Sequence, residues 1–387
     1  VTGTAVAARR ATGSRRPVWA EIDLAAVRHN TAVLAGRVAP AQLCAVVKAF
    51  AYGHGVVPVA RATVASGASW LAVALVDEGA VLREAGVTAP ILLLSEPLPS
   101  AMGDVVGLGL TPTIYTPEGL AGLVAAARRA GRTVPVHVKV DTGMHRVGAA
   151  ESDAIALAAD VARHPTLRLE GFWTHFAVAD DPADGFTAEQ GRRFATAVGA
   201  LARAGIRPPL LHACNSAGAL AHPGAHHDLV RCGIAVYGVA PSPALAGAAD
   251  LRPVLSLHAR VSYVKQVATG EGMSYGLRYR LNRPSVIATV PIGYADGVPW
   301  RLGVAGGEVL IGGRRRPIAG AVTMDQILVD CGAAGRVAVG DEVVLIGRQG
   351  EGSIDAWEWA TKAGTIAYDV LCGIGPRVPK TYVDGRG

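Results

Sequence analysis

From about residue 20 to residue 250 the chain alternates between two textures, and this alternation restricts its fold more than any other feature. Short apolar runs recur at residues 43–47, 70–76, 91–94, 110–115, 134–140, 167–175, 210–213 and 228–231. Between them lie Ala-rich stretches that read as helices, at 25–37, 77–85, 117–130, 151–162, 188–204 and 216–220. Eight strand-like runs, each followed by helix or loop, predict an α/β fold with an N-terminal (β/α)8 TIM-type barrel over residues 17–252. A doubly wound open sheet is the rival. It lacks its usual mark, because no GxGxxG turn follows the first strand.

Past Pro253 the texture changes. Runs at 256–264, 285–291, 308–311, 326–329 and 342–346 alternate or are β-branched, with Gly-rich turns such as Gly306-Gly307 and Gly312-Gly313 between them. A mostly β C-terminal domain is expected over 253–387, with one helical patch at 354–363. The early strand at 17–23 precedes the first barrel helix and is a candidate to pair with that β domain. Arg314-Arg315-Arg316 sits between two glycines and Pro317 and reads as a hairpin turn.

Composition removes several classes of function. The formal charge is +6, but Arg9, Arg10, Arg15 and Arg16 supply four of those charges within the first 16 residues, leaving +2 for the remainder. No zinc-finger spacing or RNA-binding signature accompanies the other basic residues, so nucleic acid is not the expected partner. No apolar segment approaches the roughly 18 residues of a membrane span. Residues 1–16 lack a signal-peptide core and read as a disordered leader, with an organellar transit peptide as the competing reading. Five dispersed cysteines without a CxxC pair favour buried thiols and a cytoplasmic location. No metal site is expected.

The residues able to do chemistry fall at the ends of the strand-like runs, where (β/α)8 barrels place their catalytic groups. Lys48 and Tyr52 follow the first run, and Lys139 to Arg146 close the fifth. His175 closes the sixth, Asn215 and Ser216 follow the seventh, and Arg231 with Gly233 and Ile234 close the eighth. A lysine ending a buried strand either reaches solvent, pairs, or loses its proton and becomes a nucleophilic amine able to form an imine with an aldehyde cofactor. Ser216 and the Gly233-Ile234 turn suit a phosphate dianion, or are an ordinary helix N-cap and loop glycine. Lys48, this cradle, His175 and Arg231 together describe a site for pyridoxal 5′-phosphate.

On these motifs the chain resembles bacterial alanine racemases over nearly its whole length. The matching segments run in order: Ala49 to Gly55 after Lys48, Lys139 to Arg146, Arg231 to Gly238, Ser274-Tyr275-Gly276, Pro291 to Gly297, and Met324-Asp325-Gln326. The resemblance implies that Lys48 carries the coenzyme as an imine and is one of two proton-transfer bases. Tyr275 is then the other, donated by the second subunit of a homodimer whose sites are shared across the interface. It further implies that Tyr52, Ser216, Gly233, Ile234 and Tyr368 hold the phosphate and that Asn215 lies in the same cofactor shell. Arg231 faces the pyridine nitrogen, Arg146 the phenolic oxygen, and His175 the ring. Arg146, Tyr294, Met324 and Asp325 line the pocket for a small amino-acid substrate, and Lys139 is carbamylated. The implied activity is interconversion of L- and D-alanine, supplying D-alanine for peptidoglycan precursors.

Three positions depart from the family pattern: Phe50 for Asn or Asp, Ala321 for a channel arginine, and Thr323 for a common cysteine. They leave open a racemase with shifted or broadened amino-acid specificity. A fold-related amino-acid decarboxylase is the other alternative, against which Arg231 and Tyr275 speak. A non-catalytic coenzyme carrier would be a bare barrel without the β domain.

Overall fold

A computed structural model describes residues 16–333 and 335–385. The expected leader lies outside the described residues except for Arg16. The chain divides into two units: one is Leu24–Pro253, and the other joins the segment ending at Asp23 to everything from Val254 onward.

β1 (Val18–Asp23) belongs to the second unit. Eight strands then build the first unit: β2 (Gln42–Val46), β3 (Ala68–Val73), β4 (Ile91–Leu93), β5 (Thr113–Ile114), β6 (Val134–Lys139), β7 (Leu167–Trp173), β8 (Leu210–His212) and β9 (Leu229–Cys232). All pair in parallel, in the orders β4-β3-β2-β9 and β5-β6-β7-β8. Two seams join these halves. Leu93 and Thr111 donate backbone N–H groups to Thr111 and Ile91 at one, and Asp228 and Arg231 donate to Leu211 and Cys214 at the other. The strands therefore close into a parallel barrel. Leu43, Cys44 and Ala45 of β2 are all buried, which is why such strands read as continuous apolar runs rather than alternations.

The helix Val56–Val64 is not announced by its β-branched composition. Gly55, at φ 101°, turns the chain into it, and Pro58 sits in the first turn, where no N–H is required. Val59 and Ala60 are then fully buried. Parallel strands need a crossover, and tertiary packing overrides the local preference.

In the second unit β1 pairs antiparallel with β10 (Leu255–Arg260) and parallel with the last strand, Lys380–Val383. The apolar run at 256–264 divides into β10 and β11 (Tyr263–Val267), which lie in different sheets. β12 (Gly272–Met273) pairs with β13 (Tyr279–Arg280), and β14 (Ser285–Val290) lies between β11 and Ile327–Asp330. The arginine run is not the hairpin turn that its neighbours suggest. Gly312 and Gly313, at φ 60° and 73°, make the turn between β15 (Glu308–Ile311) and β16 (Arg314–Pro317). A two-residue hairpin needs positive φ at both central positions, and only the glycines adopt it without strain. The arginines are left to pair as strand residues, and Arg315 reaches Glu308 at 3.0 Å and Glu358 at 2.7 Å.

The segment before β1 is tied down by Asp296. This fully buried carboxylate accepts from Arg16 at 2.6 and 2.9 Å and from the Gly293 N–H at 3.0 Å, with Arg377 Nε 3.3 Å away. Asp296→Ala is expected to cost about 3 kcal/mol, at the low end for a broken buried pair because Arg377 is half exposed and regains water. Urea unfolding should show a lower midpoint at unchanged slope. Among the described residues, no helix is long and apolar enough to cross a membrane.

Candidate active site

Lys48 follows β2 directly, and the chain after it is strained. Ala49, Phe50, Ala51 and Tyr52 all have φ between 52° and 56°, a single left-handed turn with no glycine in it. L-residues there cost about 1–2 kcal/mol each. Fixed contacts hold the turn: the Ala49 N–H donates to Glu78 Oε1 at 2.6 Å, and Glu78 Oε2 takes the N–H of Ala74 at 2.8 Å. Tyr52 packs at a tilt against Tyr237 with ring centres 4.7 Å apart, and Tyr237 anchors its hydroxyl on the Val46 carbonyl at 2.9 Å. Backbone strain of this size persists only where surroundings over-determine it, and such places cluster at functional sites. Phe50 is left 70% exposed on the turn.

The ends of β8 and β9 form a cradle beside this turn. Ser216 Oγ accepts the N–H of Gly233 at 2.8 Å and that of Ala235 at 3.4 Å. Asn215 caps the helix Ser216–Ala221 through the Gly218 N–H at 2.9 Å. A Cβ on Gly233 would stand 2.3 Å from the Tyr52 hydroxyl, so only glycine fits against it. Two hydroxyls and the N–H groups of a turn thus meet at buried Gly233-Ile234, the donor set that a phosphate requires.

A group of cations lies at the ends of β2, β6 and β9. Lys139 is 3% exposed. Burial, and then the charges of Arg231, Arg146 and Lys48, pull its pKa down to about 7 against the opposing pull of Asp141. Burial brings Arg231 down to about 10. Its guanidinium donates only to neutral acceptors: His212 Nδ1 at 2.7 Å, the Thr174 and Ala213 carbonyls at 3.0 and 3.1 Å, and His175 Nδ1 at 3.1 Å. Because a guanidinium has no acceptor, His175 carries its proton on Nε2. Burial and the cations Arg231, Lys139, Arg146 and Lys48 hold His175 well below its ordinary range.

Trp173, buried at the end of β7, is the part of this arrangement that sequence reasoning missed. Lys139 Nζ and Arg231 Cζ each stand 4.4 Å from its ring centre, and His212 stacks on it at 5.3 Å. An aromatic face offsets part of the cost of burying two cations. The only available signal was a large aromatic ending a strand among basic residues.

Tyr275, Tyr294, Met324, Asp325 and Tyr368 belong to the C-terminal unit. Tyr275 projects 77% exposed from a turn in which Ser274, Gly276 and Leu277 all have positive φ. Ser274 Oγ donates to the Ala321 carbonyl at 2.7 Å, while Tyr294 and Ala295 donate backbone N–H groups to Thr323 and Met324. These three segments form one hydrogen-bonded cluster with Tyr294 and Met324 both exposed. The Asp325 carboxylate is engaged by Arg377 at 2.5 Å, and Thr323 Oγ1 bonds the Gln326 carbonyl at 2.8 Å. Tyr368 is half-buried in the helix Ala367–Gly373.

Two family models match, "Alanine racemase, N-terminal domain" over residues 22–241 and "Alanine racemase, C-terminal domain" over residues 254–382. An alanine racemase of Symbiobacterium thermophilum is 47% identical over 95% of this chain and 97% of its own, and one of Desulfovibrio desulfuricans is 46% identical over 95% and 99%. Among solved structures, the alanine racemase of D-cycloserine-producing Streptomyces lavendulae superposes with a TM-score of 0.91 at 40% identity, covering 97% of this chain and 99% of that one. The Bacillus anthracis enzyme with bound L-Ala-P gives 0.89 at 38% identity, covering 96% of each. With both halves of the chain matched in order and at this identity, the protein belongs to the alanine racemase family.

Proposed function

We propose that the chain interconverts L- and D-alanine with pyridoxal 5′-phosphate as cofactor. The observation that carries this reading is the meeting of Lys48, the Ser216–Gly233 cradle and a buried arginine at one set of strand ends. The donor set fits the coenzyme: Tyr52, Ser216, Gly233 and Ile234 would hold its phosphate. Lys48 would hold its aldehyde carbon, and Arg146 its phenolic oxygen. When bound, the coenzyme would act as an electron sink that acidifies the substrate Cα–H.

The chain's own residues then have definable tasks. Arg231, which keeps its proton, would leave the ring nitrogen unprotonated and so limit charge delocalisation. Racemisation takes a proton from one face of a carbon and returns one to the other, so two bases are needed. Lys48 and Tyr275 are assigned these roles, and His175 Nε2–H is available to stabilise a phenolate. The exposure of Tyr275, Tyr294, Trp300 and Met324 supports a homodimer in which Tyr275 serves the partner's site. If so, mixing Lys48→Ala with Tyr275→Phe should restore roughly a quarter of wild-type activity, because half of the heterodimer's sites are intact. Mixtures that stay inactive would leave each site within one chain. The buried thiols of Cys44, Cys214, Cys232 and Cys331, none of them in a disulfide, favour a cytoplasmic location.

Lys139 is assigned as a carbamate. Its neutral amine would attack carbon dioxide, forming the N–C bond and releasing one proton, and the resulting anion would lie among Arg146, Arg231 and Lys48. Burial favours the neutral amine, which is lost as pH falls through about 7. Carbon-13 bicarbonate should give a carbamate resonance at pH 8 that fades below pH 7 and is missing in Lys139→Ala. The exposed Phe50 supports the alternative of a broadened substrate range, and turnover of serine equal to that of alanine would favour it.

A further inference from the structure

Arg231 is the head of a line of side chains that the reaction scheme above does not use. Its Nη1 lies 2.7 Å from His212 Nδ1, His212 Nε2 lies 2.9 Å from His137 Nδ1, and His137 Nε2 lies 3.6 Å from Glu170 Oε2. His137 and His212 are completely buried, and burial holds both below the ordinary imidazole range. Among the described residues, His137 Nε2 and Glu170 Oε2 are buried atoms that make no hydrogen bond and face each other at 3.6 Å, while the second Glu170 oxygen takes Arg168 at 2.8 Å.

The proton positions along this line follow from its two ends, a donor-only guanidinium and a carboxylate 3.6 Å beyond the last ring. A guanidinium can only donate, so His212 must accept at Nδ1 and carry its proton on Nε2. That proton points at His137 Nδ1, which must accept in turn, leaving the His137 proton on Nε2 facing Glu170. If the line ran the other way, a proton on His212 Nδ1 would meet an Arg231 N–H across 2.7 Å. The rigid guanidinium would have to swing away and take its bonds to Thr174, Ala213 and His175 with it.

We propose that Glu170 and His137 are positioning residues for Arg231: the carboxylate at the far end reinforces the direction of a one-way line of donors that holds the guanidinium in place. This rests on the reading that Arg231 partners the cofactor's ring nitrogen. The competing view is a histidine pair that only packs, His137 against Trp70 at 5.5 Å and His212 against Trp173. Packing alone would not select a tautomer.

The test is two-bond nitrogen–proton correlation NMR of histidine-labelled, cofactor-loaded protein, with steady-state kinetics beside it. Wild type should show both histidines protonated at Nε2 only. Glu170→Gln, which keeps an acceptor oxygen, should preserve that pattern and stay within about threefold in kcat. Glu170→Ala should give mixed tautomers at both histidines and lower kcat about tenfold with little change in KM, the size of one misaligned hydrogen bond. A proton on His212 Nδ1 in the wild type would overturn the proposal even if the variants fail to fold. So would Glu170→Ala with wild-type tautomers and kcat. Should the tautomers be as stated while Arg231→Lys leaves the bound coenzyme's absorbance unchanged, the donor line stands and the ring-nitrogen reading fails.

Discussion

Lys48→Ala should lower turnover by at least about 10⁴-fold in both directions, the scale seen when a covalent catalyst is removed. It should also end the fixation of coenzyme to the chain by borohydride and change the visible absorbance of the bound coenzyme. The expectation rests on placement as well as on chemistry. Lys48 is held between β2, fully buried at Leu43, Cys44 and Ala45, and a left-handed turn that costs several kcal/mol to maintain. No neighbour can take over. Lys139 has a depressed pKa, but its amine stands over Trp173 at the end of β6. Small primary amines added to the alanine variant should restore a fraction of its activity, because the cradle formed by Ser216 and Gly233 is untouched. A variant that still turned over at a tenth of the wild-type rate would remove Lys48 from the chemistry and the cofactor assignment with it.

How far the site could be read before the structure depended on the range of the interactions involved. Lys48, Ser216 and Arg231 were legible because each ends an apolar run, and strand ends are where a barrel displays its chemistry. The left-handed turn was not legible, since Ala49, Phe50, Ala51 and Tyr52 carry no local preference for positive φ. It is imposed by Glu78, 29 residues away, and by packing on Tyr237. The line from Arg231 to Glu170 was hidden for a related reason. His137, Glu170 and His212 sit on three strands, and only the register of β6 on β7 and β7 on β8 brings them together. In the C-terminal unit, two strands were fused into one because their apolar texture continues across 256–264. Arg314 to Arg316 resemble a turn by charge alone, whereas the turn needs the positive φ that Gly312-Gly313 supply.

Tyr275→Phe separates a two-base enzyme from every other reading of this chain. The side chain is 77% exposed, and its removed hydroxyl has no hydrogen-bond partner among the described residues, so stability should change by less than about 0.5 kcal/mol. Loss of activity could then not be blamed on unfolding. A positioned acid–base group contributes about 10²–10⁴-fold, and racemisation should fall by about 10³. L- and D-alanine have equal energies, so kcat/KM must fall by the same factor in both directions. The asymmetry appears instead in isotope exchange. In deuterium oxide the variant retains Lys48, which reaches one face of the α-carbon only. One enantiomer should therefore still trade its Cα proton for deuterium without inverting, while the other exchanges about 10³ times more slowly. Equal residual exchange in both hands would mean that a single base serves both faces, and Tyr275 would lose its assigned role.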